Sequence, residues 1–168
     1  MTGGYQWWPL AAFSPQALAA GATSAAPAID AFVNRKLAQY DLTEADLAIV
    51  GFSQGTIMAL HVGLRRSTRV AAIVGYSGML TGAAELAHDL ITKPPVMLIH
   101  GSDDPIVPVA ALHAAKAQLI KLGIQVSDHI SAGLGHSVDP VGLRLGGEFV
   151  AKALSDARSS EVSHARPF

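Results

Sequence analysis

The amino-acid sequence predicts an α/β fold, an open parallel sheet with flanking helices. Three observations lead to this fold class. Four short apolar runs are rich in β-branched residues, and each ends in glycine or a polar turn. Segments with apolar residues at helical steps of three and four lie between these runs. Alternation of helix-like and strand-like segments is typical of βαβ units, whose crossover connections make the strands parallel.

The strands are predicted from their hydrophobic patterns. The first three runs are continuously apolar, which is typical of strands buried on both faces of a parallel sheet. The fourth run alternates apolar and polar residues, as expected of a strand nearer an edge. In chain order the predicted strands are Asp46–Gly51, Val70–Tyr76, Pro95–Gly101 and Ile124–Ile130.

The helices are predicted from apolar spacing and from terminating residues. Upstream of the first strand, the Ala-rich segment Ser14–Tyr40 is interrupted by Gly21 and Pro27. Because both residues disfavour helix interiors, the segment is predicted to form one short helix and a longer one at Ala28–Tyr40. The remaining predicted helices are Gln54–Arg66, Val109–Leu122 and Pro140–Leu154.

Length and composition predict one domain and exclude several functions. The chain has 168 residues, of which 1–155 are predicted to form the domain and 156–168 a polar C-terminal tail. Twelve Lys and Arg residues balance thirteen Asp and Glu residues, so no basic surface for nucleic acid is expected. No cysteine, no metal-ligand spacing of histidines and no phosphate-binding glycine loop is present, so we expect neither a metal nor another cofactor.

The sequence also predicts where in the cell the protein is located. No apolar run reaches the roughly 18 residues that a membrane span needs, so stable membrane insertion is not expected. The first residues lack the basic and apolar segments of a secretion signal. A cytoplasmic protein is therefore the expectation.

Residues 51–55, GFSQG, fit the pattern G-x-S-x-G and lie where such a pattern indicates a nucleophilic serine. The pattern follows a predicted strand and opens a predicted helix, where a sharp turn exposes a serine hydroxyl. The same turn directs the N–H of Gln54, at the helix N-terminus, toward a developing oxyanion. Ser53 is thus the candidate nucleophile and Gln54 a candidate oxyanion donor.

A serine nucleophile needs a base and an orienting acid, which follow it along the chain in hydrolases of this architecture. The third predicted strand is followed by Asp103 and Asp104, either of which is a candidate acid. The fourth is followed by His136 in a glycine-lined loop, where an imidazole can approach the serine. The residues alone leave the choice between the two aspartates open.

Four blocks together resemble the phospholipase/carboxylesterase family of α/β-hydrolases, which includes acyl-protein thioesterases. The order and spacing of the blocks match the family from Gly3 to about Leu154. The blocks are residues 3–8 (GGYQWW), 51–55 (GFSQG), 100–108 (HGSDDPIVP) and 135–137 (GHS).

The resemblance implies particular roles for residues of this chain. It implies Ser53 as nucleophile, His136 as base and, as the acid, Asp104, which directly precedes the Pro-Ile-Val-Pro run. It implies hydrolysis of short to medium acyl esters, lysophospholipids or acyl thioesters through an acyl-enzyme, without a cofactor. The implied substrate-binding residues are Trp7, Trp8, Met79, Leu80 and Ile106.

The sequence departs from the family at its beginning. The family has a strand, a His-Gly oxyanion loop, a helix and a second strand before the block that matches Gly3 and Gly4. We therefore expect a hydrolase-like sheet that lacks the first strands and one of the two oxyanion donors. The strand Asp46–Gly51 would become an apolar edge, which predicts a homodimer through that edge. The alternative to an active esterase is a catalytically impaired remnant that serves as a binding or interaction module.

Overall fold

The computed structural model describes residues 6–9 and 14–164 of the chain, with side chains as far as residue 159. The order of elements alternates helices and strands, and the short helix between the second and third strands is not among those predicted from the sequence. The elements are α1 (Pro15–Tyr40), a 3₁₀ turn (Glu44–Asp46), β1 (Ala48–Phe52), α2 (Gln54–Gly63), β2 (Ala72–Tyr76), α3 (Ala83–Asp89), β3 (Val96–Gly101), α4 (Ala110–Lys121), β4 (Val126–Ser131) and α5 (Pro140–His164).

The four strands form one parallel sheet in the order β1-β2-β3-β4. This arrangement confirms the predicted α/β class. All residues of β2 and β3 are buried. The prediction that β1 is buried on both faces is wrong, because Val50 on this strand is 57% exposed. Among the described strands, β1 has β2 as its single neighbour and so lies at an edge of the sheet. Its edge position agrees with the expectation drawn from the family.

Helices cover both faces of the sheet. On one face, alternate residues such as Ile73 and Leu98 pack against α2, α3 and α4 in the main core. On the other face, Val74 and Ile99 pack against α5. Helix α1 packs on the outer side of α2 through Leu18 and its neighbours. Full burial of each large aliphatic side chain contributes about 1.5–3 kcal/mol, so these two layers fix the strand ends that carry the site.

Helix α1 is continuous, whereas the sequence predicts two helices. The helix continues through Gly21, where the missing side chain leaves room for Trp8, since a Cβ atom there would overlap the indole ring. Pro27 lies inside the helix on its exposed side. There the carbonyl group that loses its N–H partner can bind water instead. Ser14 caps the first turn by accepting a hydrogen bond from Ala17 at 3.1 Å.

Helix α5 also differs from its prediction. It continues to His164, ten residues beyond Leu154, so most of the predicted polar tail is helical. Two ion pairs accompany the added turns: Lys152 with Asp156 at 2.7 Å, one turn apart, and Arg158 with Asp46 at 3.0 Å. Polar composition alone does not reveal such support, because the second partner lies far away in sequence. No helix in the described ranges has the length and hydropathy of a membrane span.

Candidate active site

Ser53 occupies a sharp turn between the end of β1 and the start of α2. Its backbone has φ 54° and ψ −117°, a conformation that residues with a side chain rarely adopt. Two groups of the turn contact the carbonyl oxygen of Tyr76 on β2: the N–H of Ser53 donates to it at 2.8 Å, and the hydroxyl of Thr56 lies at 2.8 Å. The neighbouring strand therefore holds the strained turn in place.

The two glycines that flank this turn have different surroundings. A Cβ atom at Gly51 would overlap the carbonyl group of Gly55, so the close crossing of strand and helix requires glycine at position 51. A Cβ atom at Gly55 would meet no described atom within 4 Å. Packing within the described chain therefore accounts for the first glycine of the motif and not for the second.

The structure brings Ser53, His136 and Asp104 into a continuous series of contacts. The Nε2 atom of His136 lies 3.0 Å from Oγ of Ser53. The Nδ1 atom of the same ring lies 2.7 Å from Oδ2 of Asp104. Asp103 instead accepts a hydrogen bond from the hydroxyl of Ser102 at 2.6 Å. Of the two candidate acids, Asp104 is therefore the one in contact with the imidazole.

Asp104 is an enclosed carboxylate with several hydrogen-bond donors. Its side chain is fully buried. Its Oδ1 atom accepts the backbone N–H groups of Ile106 at 2.9 Å and Val107 at 2.8 Å. Burial alone would raise the pKa of Asp104, but the hydrogen bonds from His136, Val107 and Ile106 outweigh it, so this pKa is lowered from 3.8. The carboxylate is thus ionised at neutral pH and fixes the Nδ1–H tautomer of His136.

His136 is held by contacts from two other strands. Its ring lies 4.9 Å from the ring of Phe52, centroid to centroid, at an angle of 50°. The hydroxyl of Ser77, at the end of β2, donates to the carbonyl oxygen of Ser137 at 3.3 Å. Neither Phe52 nor Ser77 is among the site residues predicted from the sequence. Adjacency to Ser53 was the one available signal for Phe52, and Ser77 carried no signal beyond its position after a predicted strand.

Gln54 contributes to the site through both its backbone and its side chain. As the first residue of α2, it has a backbone N–H without an acceptor inside the helix. Its side-chain Oε1 accepts from the N–H of Trp7 at 2.8 Å, and its Nε2 donates to the carbonyl oxygen of Trp8 at 3.0 Å. The residue next to Ser53 therefore anchors the Trp7–Trp8 segment.

A small apolar hollow of about 40 Å³ opens beside Ser53. Two of the predicted substrate-binding residues, Met79 and Ile106, line it. Leu80 packs against the main core instead. The remaining lining residues are Leu18, Ser53, Gln54, Ile57, Gly78 and Val107.

The two tryptophans lie apart from this hollow. Trp8 packs against Gly21 and the cluster between α1 and α2. Trp7 is 52% exposed and lines a larger groove of about 490 Å³, which we call the edge groove. The edge groove runs beside β1, between α1 and α2, and is lined by Trp7, Ala28, Ile29, Phe32, Val33, Arg35, Ile49, Val50, Gly55, Met58 and Ala59. Within the part of the chain that is described, no group of three His, Asp or Glu side chains is arranged to hold a metal ion.

Comparison with known proteins agrees with the resemblance seen in the sequence. The sequence model of the Phospholipase/Carboxylesterase family matches residues 1–154. Esterase YpfH of Escherichia coli is 34% identical over 92 residues, which cover 55% of this chain and 38% of that protein. Acyl-protein thioesterase 1 of Gibberella zeae is 34% identical over 99 residues, which cover 56% of this chain and 42% of that protein. The chain thus matches about two fifths of the length of these relatives.

Solved structures show the same fold. The crystal structure of esterase PE8 has a TM-score of 0.85 and 41% identity, with 89% of this chain and 71% of that chain covered. The structure of SOBER1 from Arabidopsis thaliana has a TM-score of 0.76 at 22% identity and covers 80% of this chain and 65% of that one. The fold is that of α/β-hydrolases, and the family match extends over more than nine tenths of the residues. The chain belongs to the phospholipase/carboxylesterase family.

Proposed function

We propose that the chain carries the catalytic machinery of a serine carboxylic-ester hydrolase. The observation that carries the proposal is the unbroken series from Ser53 Oγ through His136 to the buried carboxylate of Asp104, at 3.0 and 2.7 Å. A serine hydroxyl is a weak nucleophile unless an adjacent base accepts its proton. A carboxylate that holds the base in the correct tautomer completes this arrangement. The family and its named esterase and thioesterase relatives support the same reaction class.

The reaction follows from these contacts. Oγ of Ser53 attacks the acyl carbonyl carbon while Nε2 of His136 accepts the hydroxyl proton. Asp104 stabilises the imidazolium, and the backbone N–H of Gln54 stabilises the negative charge on the carbonyl oxygen. His136 then protonates the departing alcohol, which leaves the acyl group on Ser53. Water, deprotonated by His136, attacks this ester; the acid departs and the proton returns to Ser53.

Replacement of the nucleophile tests this mechanism. Ser53→Ala should lower kcat for p-nitrophenyl acetate and butyrate by at least about 10⁴-fold, because no other group can form the acyl-enzyme. Near-UV and far-UV circular dichroism should remain those of the parent protein. Hydrolysis by a folded Ser53→Ala protein at the parent rate would refute the proposal. An impaired remnant that serves only for binding would show no esterase activity in the parent protein either.

We further propose that the hollow beside Ser53 holds a short acyl chain. Its volume of about 40 Å³ exceeds the space that one water needs, roughly 10–15 Å³ by the same measure, and leaves room for a few methylene groups. Ile57 and Leu18 close the hollow from α2 and α1. A longer chain would have to leave it past Ile106, which is 54% exposed.

A series of p-nitrophenyl esters from acetate to octanoate tests this assignment. The parent protein should prefer the shorter esters. Met79→Ala should raise the octanoate-to-acetate ratio of kcat/KM by about 10-fold or more, because it enlarges an apolar pocket. Leu80→Ala is the matched control, since Leu80 packs on the core and should not change the ratio. Equal ratios in both variants and the parent would contradict the acyl site.

We also propose that β1 pairs with β1 of a second copy. The strand Ala48–Phe52 contains neither a charged residue nor a proline, the residues that protect sheet edges. Val50, its central residue, is 57% exposed and Phe52 is 42% exposed. Antiparallel pairing about a two-fold axis would place each apolar strand against its copy.

A further inference from the structure

His100 is a buried histidine that the proposed reaction does not use. It lies near the carboxyl end of β3 and is 2% exposed. Its Nε2 atom lies 2.8 Å from the carbonyl oxygen of Val107. Because a carbonyl oxygen can only accept a hydrogen bond, Nε2 must carry the proton and donate it. Burial of a polar ring without a hydrogen-bond partner costs free energy. The hydrogen bond from His100 to Val107 is therefore a specific feature of this site.

The same N–H also faces the acid. Nε2 of His100 lies 3.4 Å from Oδ2 of Asp104, the oxygen that contacts His136. Val107, whose carbonyl accepts from His100, donates its own N–H to Oδ1 of Asp104 at 2.8 Å. The three residues therefore form a closed group: His100 holds Val107, and Val107 holds the carboxylate. Asp104 and Val107 are both buried, so water does not compete for these contacts.

We propose that His100 is a positioning residue for the acid of the catalytic series. Its hydrogen bond to Val107 fixes the turn of residues 104–107, and that turn sets the orientation of the Asp104 carboxylate toward His136. The inference rests on the proposed esterase activity. Without the donor, the turn is free to open, the backbone N–H groups of residues 106 and 107 move from Oδ1, and the carboxylate shifts relative to the imidazole. A displacement of about 1 Å in such a group can lower the rate by about 10²-fold.

Two substitutions at one position test the inference. His100→Leu removes the donor and replaces the polar ring by an apolar side chain of similar size. His100→Gln places an amide N–H close to the position of Nε2. We expect His100→Leu to lower kcat for p-nitrophenyl acetate by up to about 100-fold with KM nearly unchanged. We expect His100→Gln to restore most of the loss, since the amide can donate to the carbonyl of Val107.

Thermal unfolding and the folded fraction of each variant separate positioning from stability. A loss of kcat that only follows the folded fraction, or a His100→Gln protein as slow as the folded His100→Leu protein, would overturn the inference. If His100→Leu does not fold, ¹⁵N NMR of the parent protein decides, because the inference requires a proton on Nε2 of His100 and fails if Nε2 is unprotonated. Full activity in His100→Leu together with inactive Ser53→Ala would reject the role of His100 and leave the esterase mechanism intact. Activity in Ser53→Ala would reject the mechanism itself.

Discussion

The two halves of the candidate site differ in how completely the chain encloses them. One half, Asp104 and His136, lies on loops after β3 and β4, where Asp104 is fully buried and surrounded by hydrogen-bond donors. The other half, Ser53, follows β1 at the edge of the sheet, where Val50 and Phe52 are exposed and the edge groove is open. The described chain thus encloses the contacts of Asp104 within itself, while the outer surroundings of Ser53 remain uncovered.

The largest effect should come from the enclosed half. Asp104→Asn should lower kcat for p-nitrophenyl acetate by about 10⁴-fold, because an amide favours the wrong tautomer of the imidazole. Asp103→Asn is the matched control, since Asp103 contacts Ser102 and not His136. It should keep most of the activity. Equal losses in the two variants would contradict the assignment of the acid and weaken the contrast between the two aspartates.

The uncovered half should respond to a charge on the edge. If two copies of β1 pair antiparallel with Val50 at the centre, Val50→Lys would place two like charges opposite each other and favour the monomer. Light scattering at micromolar concentration should show a dimer for the parent protein and a monomer for this variant. Ile120→Lys on α4 is the control, because Ile120 is similarly exposed, at 51%, and lies away from β1. A parent protein that is strictly monomeric would refute the proposed pairing.

The smallest effect should appear in the pH dependence of stability. The pKa of Asp104 is lowered in the folded chain, so its carboxylate stabilises the fold at pH values above its ordinary pKa of 3.8. This contribution is lost as the pH falls through the lowered pKa. Urea unfolding of the parent and Asp104→Asn proteins should therefore show a difference in the free energy of unfolding that shrinks as the pH falls below 3.8. A difference that grows as the pH falls below 3.8 would contradict the described electrostatics.

The sequence predicted the architecture well because its signals are local. Continuous apolar runs identified β2 and β3, although β2 begins at Ala72 and not at Val70. Val70 and Ala71 are buried but do not belong to the strand. Hydrophobicity predicts burial and cannot tell a buried strand residue from a buried residue that precedes the strand. The interruption of α1 was predicted wrongly because Gly21 meets Trp8, a contact between segments that no local pattern contains.

Those residues of the candidate site that lie in sequence motifs could be predicted from the sequence. The residues left Asp103 and Asp104 as alternatives, and the resemblance to the family favoured Asp104. The structure gives the physical reason: the turn after Asp104 returns two N–H groups to its own carboxylate. The side-chain hydrogen bonds of Gln54 and the position of Leu80 in the core depend on packing between distant segments. Such packing cannot be predicted from composition or from the spacing of residues.

The central claim is that this chain activates Ser53 through His136. Intact-mass spectrometry after reaction with a fluorophosphonate probe tests it most directly, because the probe needs an activated serine and no substrate pocket of particular shape. We predict one adduct per chain, located on Ser53, absent from Ser53→Ala and formed much more slowly in His136→Ala. An unlabelled parent protein, or an adduct that persists in Ser53→Ala, would contradict the account.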